Sequence, residues 1–383
     1  MRLIYNGKKE KNAILETVKK SKLVKVEGDS INKLIWGENL KVLKTLIDDF
    51  DLKGKIDLVY IDPPFSTNNI FKLGDDRANT ISSRETDKIA YKDNLRGEKF
   101  FEFLRERLIF LREVMSKKAS IYLHIDYKIG HYIKLIMDEV FGINNFRSDI
   151  SRIKCNPKNF ERKNYGNIKD MILFYTKTDD YIWNEPREAF TEENIKKLFN
   201  KTDKDGRRYT TIPLHAPGET KNGITGREWR GIKPPAGRHW RCSPEKLECL
   251  DQDGLIEWSA NGVPRKKIYA DEQNGKRIQD IWEFKDPQYP TYPTEKNIDL
   301  LKLIISTSSN YNSIVLDCFC GSGTTLVACS QMGRNWIGID ESEQAINVTR
   351  KRLLSISDDL FSDSDFEFYI DEMFINKENF HLV

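Results

Sequence analysis

The feature that most restricts the fold is an alternation of short apolar runs with amphipathic stretches, present in two blocks of the chain and absent between them. In the first block Lys33–Trp36 reads as a strand and residues 39–50 as a helix. Ile56–Ile61 (IDLVYI) is an apolar run of strand length that stops abruptly at Asp62-Pro63-Pro64. Residues 99–118 carry Phe101, Leu104, Leu108, Leu111 and Met115 at helical spacing, then 120–125 read as a strand and 129–141 as a helix. The second block repeats the pattern: helix 295–308, buried strand 313–317, helix 323–332, strand 336–340, helix 342–354. Strands alternating with helices are joined by crossovers, so the expected class is α/β with a doubly wound, mostly parallel sheet.

Between the blocks periodicity fades and turn signals multiply, as at Ala216-Pro217-Gly218 and Pro234-Pro235-Ala236-Gly237. The expected division is an N-terminal extension (1–21), a first catalytic part (22–150), an inserted domain (151–285), a second catalytic part (286–357) and a peripheral acidic appendage (358–383). Net charge is only +3, yet residues 151–285 hold 27 Lys and Arg against 21 Asp and Glu, and five of the seven tryptophans. A basic, aromatic-rich insert in an acidic scaffold suits a polyanionic partner, although a solvated surface of mixed charge would read the same way. With 39% hydrophobic residues the chain can fill a core, and no run of about 18 apolar residues offers a membrane span. The start of the chain has no apolar stretch of secretory type, and six cysteines in no paired framework fit reduced thiols in a cytoplasm. His239, Cys242 and Cys249 lack the Cys-x-x-Cys partner a zinc site would want, so no metal is expected.

The segment from Ile314 to Thr325 (IVLDCFCGSGTT) joins a strand to a helix through small residues. Glycines permit positive φ and close approach of a ligand, and the helix start offers unpaired N–H groups. Asp340 ends the next strand, where a carboxylate can accept ribose hydroxyls. A dinucleotide fingerprint would want glycine where Leu326 stands, and a phosphate loop would want a lysine after Gly323. The acidic Asp317 suits a cation, so a sulfonium joined to a ribose fits better than either; a purely structural glycine turn is the competing reading.

Asp62-Pro63-Pro64-Phe65 follows an apolar strand, where open α/β sheets place their ligands. Two prolines fix φ and remove two donors, leaving carbonyls unshared. An amino group could then give one N–H to the Asp62 carboxylate and one to the Pro63 carbonyl, while Phe65 stacks on a base, a contact worth about 1–3 kcal/mol. The bland alternative is a rigid turn with a capping aspartate.

Together these residues resemble the amino-group DNA methyltransferases of the beta class, in which the catalytic tetrapeptide precedes the cofactor loop, and most of all the adenine-modifying branch that includes type III modification subunits. The matching segments are Trp36-Gly37-Glu38-Asn39-Leu40, the tetrapeptide, Tyr292-Pro293-Thr294-Glu295-Lys296, the 317–325 loop and 335–340, and the resemblance spans about residues 33–355. It implies a methyl donor, S-adenosylmethionine. Asp317, Phe319, Gly321, Gly323 and Thr324 would hold its methionine portion, Asp340 its ribose, and Glu38 with Asn39 its adenine side; Asp62 borders the same site. Thr294 and Lys296 would cover the methionine tail. Asp62, Pro63, Pro64 and Phe65 would hold a base flipped out of duplex DNA. Arg152, Lys154, Arg227, Arg230, Arg238 and Arg241 are the candidate DNA contacts in a target recognition insert, with Trp229 and Trp240 able to stack beside them. A restriction endonuclease subunit and a second copy of the chain are the candidate protein partners. Asp rather than Ser at position 62 favours adenine N6, with cytosine N4, an RNA substrate or a non-catalytic DNA-binding subunit as alternatives. Phe65, Glu38, Cys318 and Asn297 depart from the family's usual Tyr, Asp, Pro and Pro.

Overall fold

A computed structural model describes residues 3–64, 70–73, 78–79, 88–92, 97–157, 161, 163–288, 295–356 and 366–375. The chain forms two compact units, one of Met1–Pro186 with Gln279–Val383 and one of Arg187–Ile278.

The large unit is built on ten strands: β1 (Leu23–Glu27), β2 (Lys33–Trp36), β3 (Ile56–Ile61), β4 (Met115–Ile125), β5 (Phe146–Ile153), β6 (Lys169–Thr176), β7 (Ile281–Glu283), β8 (Ile314–Asp317), β9 (Asn335–Asp340) and β10 (Glu367–Asp371). Their order across the sheet is β1-β10-β2-β9-β8-β3-β4-β6-β5-β7. The central run from β10 to β4 is parallel throughout, while β1, and β6 against both β4 and β5, pair antiparallel. The unit's longer helices are α1 (Asn39–Asp48), α2 (Gly97–Val114), α3 (Tyr127–Phe141), α4 (Ile298–Ser308), α5 (Thr324–Gln331) and α6 (Glu343–Leu354). They pack as two groups, α1-α2-α3 and α4-α5-α6. This is the doubly wound α/β architecture expected from the alternation.

The central strands are apolar on both faces because both are covered. In β3, Ile56, Leu58, Val59 and Ile61 are all fully buried, and α2 adds Phe100, Leu104, Leu108 and Leu111 to the same core. Residues 115–118 do not extend α2: β4 begins at Met115, which pairs with Ile56 of β3.

Both flanks of the expected catalytic region belong to the sheet. Residues 366–371, expected as a peripheral appendage, supply β10 between β1 and β2, with Phe366 and Phe368 buried. The segment before residue 22 is also anchored: Ile14 is fully buried, and Tyr5 donates to Glu102 at 2.6 Å. The partners that decide both lie far off in sequence, 97 residues away for Tyr5 and more than 300 for β10, and local composition does not report them.

The second unit begins and ends inside the expected 151–285 insert, since β5, β6 and β7 complete the large sheet. It holds a four-stranded antiparallel sheet, which includes Arg208–Pro213 and Pro264–Tyr269, and a hairpin of His215–Pro217 with Arg238–Trp240. Its small core gathers Leu214, Trp229, Trp240, Leu247, Leu250 and Ile256. It carries 19 Lys and Arg against 14 Asp and Glu, a net +5. Among the described residues no helix is long and apolar enough to cross a membrane, no three His, Cys, Asp or Glu gather as a metal site, and all six cysteines are free.

Candidate active site

The register of the sheet brings the two sequence motifs together. Val315 and Leu316 of β8 pair with Leu58 and Val59 of β3, so Asp317 and Asp62 leave neighbouring parallel strands at the same edge. Trp36 of β2 pairs with Asp340 of β9, which sets Glu38 and Asn39 beside the same turn.

In the glycine turn Gly321 and Gly323 have φ of 51° and 73°, the left-handed region where a Cβ is costly. A Cβ on Gly323 would also come within 2.6 Å of Thr349. Asp317 spans the turn: Oδ1 accepts from the Phe319 N–H at 3.0 Å and Oδ2 from the Thr325 hydroxyl at 2.6 Å. Asp340 accepts from the N–H groups of Gly321 (2.8 Å) and Ser342 (2.9 Å). Burial pushes the Asp317 carboxyl up to about 7 and that of Asp340 up to about 6, against the opposing pull of those hydrogen bonds. Among the described residues neither has a cationic partner. A buried and a half-buried acid that lack a cation among the described residues are chemically matched to a ligand bringing positive charge and hydroxyl donors.

Asn39 and Glu38 meet this turn from α1. The Asn39 amide donates to the Cys318 carbonyl at 2.8 Å, and Glu38 caps α1 by accepting from the N–H groups of Leu40 and Lys41. Arg107, 5% exposed on α2, donates to both Asn39 Oδ1 (2.6 Å) and Glu38 and lies 3.5 Å over the Phe103 ring. Phe103 in turn packs against Phe319. Two further latches hold the turn: the Thr349 hydroxyl donates to Gly321 O at 2.8 Å, and Arg352 donates to Ser322 O and to the Thr324 hydroxyl. Sequence reading passed over Arg107, Thr349 and Arg352. A signal existed for two of them: Arg107 falls on the Leu104-Leu108-Leu111 stripe, and Thr349 on that of Ala345, Ile346 and Leu353.

At the corner after β3 Pro63 is buried, Asp62 Oδ2 accepts from the Lys296 ammonium, and Asp62 Oδ1 is buried with no hydrogen-bond partner among the described residues. Lys296, expected over a methionine tail, is therefore engaged with the tetrapeptide carboxylate. Phe65 and Thr294 lie outside the described residues. Beneath Asp62, Tyr60 and the fully buried His124 are joined at 3.0 Å, and His124 Nε2 meets Asp170 at 3.2 Å. Burial lowers the His124 pKa, while Asp170 falls well below the usual carboxylate range because the His124 and Lys154 contacts outweigh its burial.

The proposed DNA contacts divide. Arg152 is fully buried, paired with Asp286 and donating to Phe284 O at 2.8 Å, so it fastens the sheet edge and is not open to a phosphate. Lys154 is held by Asp170 at 2.6 Å. Arg230 is paired with Glu248 and Asp251. Arg227, Arg238 and Arg241 are exposed on the second unit. Arg238 meets His215 at 3.2 Å, and Arg241 and Arg265 add positive charge around that histidine. Trp229 and Trp240, 4% and 2% exposed, are core residues and offer no stacking face.

A parallel sheet that sets a carboxylate with two prolines beside an acidic glycine turn defines the framework of an amino-group methyltransferase, and the chain belongs to the N6/N4 DNA methylase family, which it matches over residues 56–351. It is 40% identical over 365 residues to the type II methyltransferase M.EcaI of Enterobacter cloacae, a match taking in 91% of this chain and 77% of that protein. It is 24% identical over 355 residues to the type III restriction-modification enzyme StyLTI Mod subunit of Salmonella typhimurium strain LT2, taking in 83% of this chain and 52% of the relative. Among solved structures, the M1.HpyAVI–SAM complex aligns with a TM-score of 0.44 at 18% identity, over 84% of this chain and 98% of that one.

Proposed function

We propose that the chain transfers a methyl group from S-adenosylmethionine to the N6 amino group of an adenine in duplex DNA. The observation that carries this reading is the buried Oδ1 of Asp62, unpartnered among the described residues, at the end of a strand adjacent to the acidic glycine turn. Asp317, Gly321, Gly323 and Thr324 would hold the methionine portion of the donor, Asp340 its ribose, and the Arg107-fixed pair Glu38 and Asn39 its adenosine end. Bound there, S-adenosylmethionine supplies a methyl group on a sulfonium, which already has a good leaving group.

The protein's part is positioning and charge placement. An amino group is a double donor. Oδ1 of Asp62 accepts one N–H and the Pro63 carbonyl the other, which draws the nitrogen lone pair out of conjugation with the ring. The base has to leave the duplex to reach this corner, because its amino group is otherwise paired. The exposed Arg227, Arg238 and Arg241 on the net-positive second unit are the candidate contacts to the DNA backbone, whose charge dominates affinity. The aspartate at position 62, together with the resemblance to the adenine-modifying branch, supports adenine over cytosine. A restriction–modification setting accords with relatives of the type II and type III kinds, and a nuclease subunit is the partner it suggests.

The test is digestion of DNA methylated by the purified chain, followed by mass analysis of the nucleosides. N6-methyladenine is expected; N4-methylcytosine would correct the base, and no methylated nucleoside at all would remove the enzyme assignment.

A further inference from the structure

The two oxygens of the Asp62 carboxylate are not equivalent. Oδ2 is taken by the Lys296 ammonium, Oδ1 has no partner among the described residues, and the Asp62 and Lys296 side chains are only 16% and 11% exposed. A lysine has four rotatable bonds and is costly to hold in one place. Here the backbone on both sides of it is fastened. Glu295 pairs with Arg352 at 3.0 Å, and Arg352 also donates to Ser322 O of the glycine turn at 2.9 Å. Asn297 caps α4, accepting from the Asp299 N–H at 2.8 Å, and donates to Lys285 O at 3.0 Å. Two consecutive residues thus reach the two halves of the site, Glu295 the glycine turn and Lys296 the tetrapeptide.

We infer that Lys296 is a positioning residue of the transfer centre: its ammonium fixes the plane of the Asp62 carboxylate and leaves Oδ1 as the one acceptor for the target amino group. A carboxylate held by nothing else at its own oxygens would be free to turn about its Cβ–Cγ bond. A charge-assisted hydrogen bond to one oxygen fixes that rotamer. The inference rests on the functional reading above, and it differs from a role for Lys296 on the methionine tail.

The experiment uses the full chain with K296A and K296R, calorimetric titration of S-adenosylmethionine, and single-turnover transfer to a target duplex. K296A is expected to bind S-adenosylmethionine within about threefold of wild type while its transfer rate falls about 100-fold or more, the loss typical of one preorganised charge contact. Ethylammonium in solution is expected to restore part of the K296A rate in a saturable way, and K296R to keep more activity than K296A. Cofactor affinity falling in step with rate would assign the lysine to the methionine tail and overturn the inference. So would a K296A chain that transfers faster than wild type, which would make the lysine a placeholder for the substrate amine. A wild-type chain that binds the donor but methylates no DNA would sink the functional reading itself, and this inference with it.

Discussion

Replacing Asp317 with Asn should make the free protein more stable and the loaded protein harder to form. Asp317 is 2% exposed, and burial raises its carboxyl from 3.8 to about 7. In the unfolded chain the group ionises near its ordinary value, so the folded state bears the cost of a buried charge as pH rises. That cost is absent below about pH 4, grows through the interval between the two values and levels off above pH 7. At pH 8 its ceiling is about 4 kcal/mol, and at pH 5 about 2 kcal/mol. Asparagine keeps the geometry: its oxygen can accept from the Phe319 N–H, and its amide can donate to the Thr325 hydroxyl, whose hydrogen turns away. The measurement is urea unfolding at pH 5 and 8, read from hydrogen-exchange protection of β8 and β9 amides so that the separate 187–278 unit does not enter. A gain larger at pH 8 than at pH 5 is expected, together with a loss of S-adenosylmethionine affinity. An equal gain at both pH values, or none, would refute the claim that a buried carboxylate awaits a cation there.

Asp62→Ala should abolish methyl transfer while calorimetry still registers donor binding, because the residue serves the base; unchanged turnover would end the mechanism. Asp340→Ala should weaken donor affinity far more than DNA affinity, and the reverse order in paired titrations would refute the ribose assignment. Trp240→Ala removes an indole buried among Leu214, Leu247 and Leu250 and its 3.0 Å bond to Arg227 O, at a cost of about 3–5 kcal/mol to the second unit. Limited proteolysis should then cut within 187–278 while donor binding survives, and a uniformly protease-sensitive chain would contradict the independence of the two units.

What the sequence disclosed and what it concealed follow from the range of the interactions concerned. Strand β3 and its prolines were legible because a six-residue run with five apolar side chains and an Asp-Pro-Pro stop are local facts. The turn at Gly321 and Gly323 was legible because its demand on φ is local too. Arg152 read as a surface cation, because its burial depends on Asp286, which joins it only once β7 pairs with β5. Trp229 and Trp240 read as stacking faces because the turns between them hide the small core they share with α-helical Leu247 and Leu250. Lys296 was found in the right segment, but its pairing with Asp62 was not legible, since only the folded chain brings the two side chains together.

Strand β10 bears on how the chain reaches its folded state. It lies between β1 and β2, and Ser21 donates to Asp371 at 2.6 Å across 350 residues of sequence. During synthesis the ribosome releases β1 and β2 long before the strand that must separate them. Until then β2 presents a bare edge, and β1 has no place in the sheet, a condition that invites wrong pairing or self-association. Closure of that edge must therefore be a late event with a large entropic barrier. A nascent chain halted before residue 366 would carry every motif described above and still lack the strand that joins β1 to the sheet.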